Sequence, residues 1–89
     1  MFRVTWLQSA LDELSAMWRK ADSSLGKAIT AASHQIEMRL SKDPTQEGES
    51  REGGTRIFFI PPLAITYEVD EDAQEVTVAH VRLFRPRNP

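Results

Sequence analysis

The sequence contains no cysteine. That excludes a disulfide framework, a thiolate metal centre and a cysteine nucleophile. Glycine is scarce, with four residues, and none of them belongs to a P-loop or a glycine-rich dinucleotide fingerprint. An excess of positive charge is also missing: 11 Lys and Arg stand against 13 Asp and Glu, a net charge of −2. The field of the whole protein therefore does not favour nucleic acid, and any such role needs a local basic patch. No apolar run approaches the roughly 18 residues of a membrane-crossing helix. The opening MFRVTWLQSALDE lacks the charged, apolar and small-residue zones of a signal peptide. The expectation is a small, soluble, cytoplasmic domain that does not engage a membrane.

What remains is an ordinary globular composition, 40% hydrophobic and 27% charged over 89 residues, enough for one domain with a modest core. Phe2 to Trp6 alternates apolar and polar residues, which predicts a strand with Phe2, Val4 and Trp6 on its buried side. Ser9, with Asp12 three positions on, predicts a helix start. Leu11, Leu14 and Trp18 form the apolar stripe of a helix over about 10–21, with Ala10, Met17 and Ala21 filling in. Asp22-Ser23-Ser24 is a break and a new cap. From there Leu25, Ile29, Ala32, Ile36 and Leu40 recur at helical spacing until Pro44 stops the run. The short connection folds these helices into a hairpin.

Residues 43–54 are polar and without period, and predict a mobile loop. Arg56–Ile60, Ala64–Val69 and Glu75–Phe84 then read as three strands, broken by Pro61-Pro62 and by the acidic turn at 70–74. The fold class that follows is α+β, an antiparallel-rich four-stranded sheet with an N-terminal helical hairpin packed on one face, in the order β-α-α-β-β-β. Residues 1–89 form one domain in this reading.

Candidate chemistry is sparse. His34 and Glu37, three apart on a helix, supply half of a carboxylate–histidine metal site with no second half in view. His80 is a candidate general base, since imidazole titrates near neutral pH. Alternation along its strand places it on the same face as Val78 and Arg82. Trp6 and Trp18 fall on apolar stripes and read as core. Phe58 and Phe59 are neighbours on a strand and face opposite sides, so one of them is free for a partner. Arg56, Arg82, Arg85 and Arg87 supply the forked donors that grip phosphate.

Phe2-Arg3-Val4-Thr5-Trp6 followed by Ala10-Leu11-Asp12-Glu13-Leu14, then Ala64-Ile65-Thr66-Tyr67-Glu68-Val69-Asp70 and Val76-Thr77-Val78-Ala79-His80-Val81-Arg82, resembles the RelE/ParE superfamily of toxins. These come from bacterial type II toxin–antitoxin modules. The resemblance spans nearly the whole chain. It implies a toxin that inhibits translation as a ribosome-dependent mRNA endoribonuclease, without metal or cofactor. The alternatives are a ParE-like inhibitor of DNA gyrase and a toxin-fold binding module without catalysis.

In the ribonuclease pattern basic side chains on the sheet hold the scissile phosphate. Ala64 stands where that pattern has an arginine, Phe84 where it has a second basic residue, and Ile57 and its neighbours where it has lysines. Carried over position by position, the resemblance leaves Arg82 or Arg85 as catalytic candidates, with Arg56 compensating and His80 beside them. The implied partners are a cognate antitoxin and either the ribosome with its mRNA or gyrase. Phe58, Phe59, Leu83 and Phe84 are the candidate antitoxin-binding residues.

Overall fold

The computed structural model describes residues 1–84. Its elements are β1 (Arg3–Trp6), α1 (Gln8–Lys20), α2 (Ser23–Lys42), β2 (Glu49–Ser50), β3 (Thr55–Ile60), β4 (Leu63–Asp70) and β5 (Glu75–Leu83). All four expected strands are present, within a residue or two of their expected bounds. The sheet nevertheless has five, in the order β1-β5-β4-β3-β2, because Glu49 and Ser50 pair with Ile57 and Arg56 of β3. Only β1 runs parallel to its neighbour, β5. The remaining pairs are antiparallel.

The helix hairpin covers one face of this sheet. The α2 stripe packs as its spacing predicts, with Ile29, Ala32, Ile36 and Leu40 essentially inaccessible and Leu25 half-buried beside them. Burial of an Ile or Leu side chain contributes about 1.5–3 kcal/mol each, so this stripe is the main apolar anchor of the hairpin. Asp22 caps α2 through its carboxylate, which accepts the Leu25 N–H at 2.8 Å. From the sheet come Phe58, Leu63, Ile65, Tyr67, Val76, Val78 and Val81.

Helix α1 departs from expectation at its start and in the arc that it buries. It starts at Gln8 with Leu7 as N-cap, and no side chain caps it. Ser9 is instead inside the first turn, where its hydroxyl donates to Ala79 O at 3.0 Å. The buried side of α1 runs through Ala10, Leu14, Met17 and Ala21, leaving Leu11 and Trp18 largely exposed. Trp18, expected in the core, lies over the start of α2, where a Cβ on Gly26 would sit 3.6 Å from its indole nitrogen.

Segment 43–50 is tied to the sheet rather than free. Pro44 is buried. Tyr67, fully buried on the central strand, points its hydroxyl at Pro44 O (2.9 Å) and Glu47 O (2.7 Å). Arg56, opposite Tyr67 in register, donates from Nε to Glu47 O at 3.1 Å and from Nη2 to Gly48 O at 3.3 Å. Arg39 of α2 pairs with the Glu47 carboxylate and lies over the Phe58 ring. Gly48 makes the close approach possible: at φ +67° a side chain there would stand 2.5 Å from Ile57 O.

Burial pushes the Tyr67 phenol above its ordinary value, and the Arg56 hydrogen bond offsets part of that rise. A raised folded value favours the neutral phenol, so its stabilisation is complete below the unfolded value and is lost as pH rises through the folded one. Tyr67 is the only tyrosine. Its phenolate absorbance in an alkaline titration is therefore expected to appear at higher pH than that of the urea-unfolded chain. Tyr67→Phe should lower unfolding free energy by about 1–3 kcal/mol in urea melts, because two carbonyls lose a buried donor.

Candidate functional site on the open sheet face

Among the described residues no helix lies over the second sheet face, and the residues of β3, β4 and β5 on it are half-buried or exposed throughout. What it presents is set by one irregularity in β5. Tyr67 pairs with Val78 and Thr66 with His80, so Ala79 is an extra residue, a β-bulge. The core-facing set along β5 is accordingly Val76, Val78 and then Val81. His80 and Arg82 therefore face away from Val78, onto the open side. This corrects the simple alternation, which joined all three on one face.

Helix α1 holds the bulge. Leu7 N–H donates to Val78 O (2.9 Å), Ser9 Oγ to Ala79 O (3.0 Å), and the Val81 N–H to Glu13 Oε1 (3.1 Å). Strand β1 stops pairing at Val78, and the first two turns of α1 take over the hydrogen bonding of the β5 edge. The same Glu13 oxygen lies 3.4 Å from His80 Nδ1.

Across the strands, two rows form on the open face. Phe59, Ala64 and Arg82 are in register, and so are Ile57, Thr66 and His80. Phe84 packs on Phe59 with ring centroids 5.0 Å apart. Toward the β4–β5 turn the same face becomes acidic, where Glu68, Asp70 and Glu75 line a shallow cleft of about 560 Å³ together with Glu71 and Asp72. Asp70 is spent on the turn, accepting the Ala73 N–H at 3.1 Å.

Arg56 and Arg82, the two candidates within the described residues, do not converge. Arg56 shares the helix-side face with Phe58 and is spent on the carbonyls of Glu47 and Gly48, so it is a structural residue on the opposite side from Arg82. Arg85 and Arg87 lie outside the described residues. Among the expected partner-binding residues, Phe58 is 5% exposed and belongs to the core, which corrects its place in that set. Phe59 (44% exposed) and Phe84 form a pair on the open face. Leu83 is exposed but, by its register with Leu63, sits on the helix side of the sheet.

Elsewhere, Glu37 accepts the Trp6 indole N–H at 2.9 Å, which accounts for the carboxylate of the His34–Glu37 pair. Among the described residues no three His, Asp or Glu side chains are grouped to hold a metal ion. Glu13 and the bulge were missed by the reading of the sequence. The signal for the bulge is there in the apolar phase, which slips from 76 and 78 to 81 and 83 across the small Ala79.

The order β-α-α-β-β-β, with two helices on a mixed five-stranded sheet, agrees with the RelE/ParE fold. The chain is similar to a chain of the chromosomal ParDE toxin–antitoxin system of P. aeruginosa at 17% identity, covering 96% of this chain and 98% of that one, TM-score 0.75. It is similar to a chain of the RelBE2 toxin–antitoxin complex of Mycobacterium tuberculosis at 19% identity, with coverages of 92% and 90% and TM-score 0.70. Against the isolated RelE toxin of E. coli the values are 16%, 98% and 88%, with TM-score 0.66. No protein-family model and no curated protein sequence matches the chain. No helix among the described residues is long and apolar enough to cross a membrane.

Arg56 and Arg82 should separate by phenotype. Arg56→Ala is expected to destabilise by about 1–2 kcal/mol, through two carbonyls left without their charged donor. Arg82→Ala, at an exposed position, should change stability by no more than about 0.5 kcal/mol. Urea melts of the two variants compare them directly.

Proposed function

We propose that this chain is the toxin component of a type II toxin–antitoxin pair, held inactive by a cognate antitoxin and acting in the cytoplasm. The observation that carries this reading is the match of fold over nearly the whole chain to proteins of toxin–antitoxin systems. The open sheet face supplies the working surface, with Phe59 and Phe84 as apolar contacts beside His80 and Arg82.

The target that this surface suits best is a protein, as in ParE-like inhibition of DNA gyrase. Gripping an RNA backbone takes clustered cations. Arg82 is accompanied on this face by Glu68, Asp70 and Glu75, and Arg56 is engaged on the other side. A second reading, ribosome-dependent cleavage of mRNA, is favoured by one specific feature: a histidine and an arginine two residues apart on the same face of β5. In that reading His80 is the proton acceptor and Arg82, aided by Arg85, the phosphate contact. No cofactor enters either reading.

Pulse labelling of DNA and protein synthesis just after tightly controlled induction in bacteria separates the two. An early fall in DNA synthesis is the expected result. Translation failing first would move the target to the ribosome. Normal growth with both syntheses intact would end the toxin reading and leave a binding module. Combined Arg82→Ala and Arg85→Ala substitution should abolish growth arrest while the urea midpoint stays near that of the wild type. Undiminished toxicity would remove both arginines from the mechanism.

A further inference from the structure

Three observations meet at Glu13. Its Oε1 accepts the Val81 N–H just past the bulge, at 3.1 Å, and the same oxygen stands 3.4 Å from His80 Nδ1. Its side chain is 37% exposed and that of His80 is 55% exposed, so the pair sits at the rim of the open face rather than in the core. The neighbouring acid on the helix, Asp12, is engaged by Gln8, which donates to it at 2.9 Å. Glu13 is thus the carboxylate that α1 turns toward β5.

A carboxylate oxygen only accepts hydrogen bonds. Its contact with Nδ1 is attractive only when that nitrogen carries the proton. In a neutral imidazole the other nitrogen is then bare, so the partner of one ring nitrogen decides what the other offers. The backbone fixes the same arrangement from a second direction. The bulge turns the His80 side chain onto the open face, and the Val81 N–H that helps to hold the bulge ends on the same oxygen.

We propose that Glu13 is the positioning residue for His80: it holds the ring as the Nδ1–H tautomer, so that a bare Nε2 is offered as an acceptor beside Arg82 on the open sheet face. This rests on the toxin reading only in taking that face as the working surface. The arrangement presents an acceptor and a guanidinium two residues apart on one strand, a pairing that suits a target bearing a hydrogen-bond donor next to an anionic group. One carboxylate serves both the backbone geometry and the ring, which explains why an acid on α1, remote in sequence, belongs to the site.

The test is the nitrogen spectrum of the imidazole rings in uniformly 15N-labelled protein at alkaline pH. Exposed His34 on α2 supplies the reference ring in the same spectrum. The expected result is a majority Nδ1–H form for His80 and a minority Nδ1–H form for His34. In Glu13→Ala the His80 pattern should fall back to that of His34. A His80 pattern equal to that of His34 in the wild type overturns the proposal, and so does an Nδ1–H majority that survives Glu13→Ala. The wild-type spectrum decides alone if that variant does not fold. Growth arrest on induction is scored separately. Its absence with the Nδ1–H majority present ends the toxin reading and leaves the positioning role standing, while arrest with the reference tautomer does the reverse.

Discussion

The extra residue at Ala79 is the constraint around which the open face is organised. Without it, β5 would keep one phase from Val76 to Arg82. His80 and Arg82 would then point under the helices, and Val81 would point out. A charged guanidinium in that apolar layer is untenable without a partner. The bulge moves both polar residues to the uncovered side and brings Val81 into the core in their place. It also frees backbone groups on the β1 side of the strand, and α1 meets them with Ser9 and Glu13. The position of α1 along the sheet and the side on which His80 and Arg82 emerge are therefore one problem with one solution.

A second polar node works on the other half of the molecule. The Tyr67 hydroxyl and the Arg56 guanidinium converge on the carbonyls of 44, 47 and 48, and Arg39 holds the Glu47 side chain from above. Loop backbone that would otherwise need water is satisfied inside the protein. This arrangement draws Arg56 away from any anion-binding role. The two nodes thus separate Arg56, held in structure, from Arg82, left on the surface.

Much of this was legible in the residues. The α2 stripe, the Asp22 cap and the four principal strands follow from periodicity and breaker residues, and all were placed to within a residue or two. Strand β2 was not legible, because two residues carry no period and Glu49–Ser50 is defined only by its partner β3. Ser9 looks like a cap by type and position, yet its hydroxyl is claimed by a carbonyl seventy residues away in sequence. Leu11 and Trp18 share helical spacing with Leu14, but which arc of α1 meets the sheet is settled by the connection from β1. The same holds for Phe58 and Phe59: opposite faces were certain, and the side covered by helices was a tertiary matter. For the candidate site, residue type alone singles out His80 and Arg82, whereas Glu13 depends on a contact between α1 and β5 that no local pattern announces.

The place of β5 in the sheet has a consequence for how the molecule comes into being. This strand, made late, lies between β1, made early, and the β3–β4 hairpin. The parallel pairing of β1 with residues 75–78 closes a loop that encloses both helices, and such long-range pairings are slow because chain entropy is lost before contacts form. A chain still on the ribosome that has not yet released β5 has neither a completed sheet nor the bulge, and so has no open face to present. The open face is therefore postponed until synthesis of the strand is finished, which gives any partner supplied beforehand the first encounter with the finished surface.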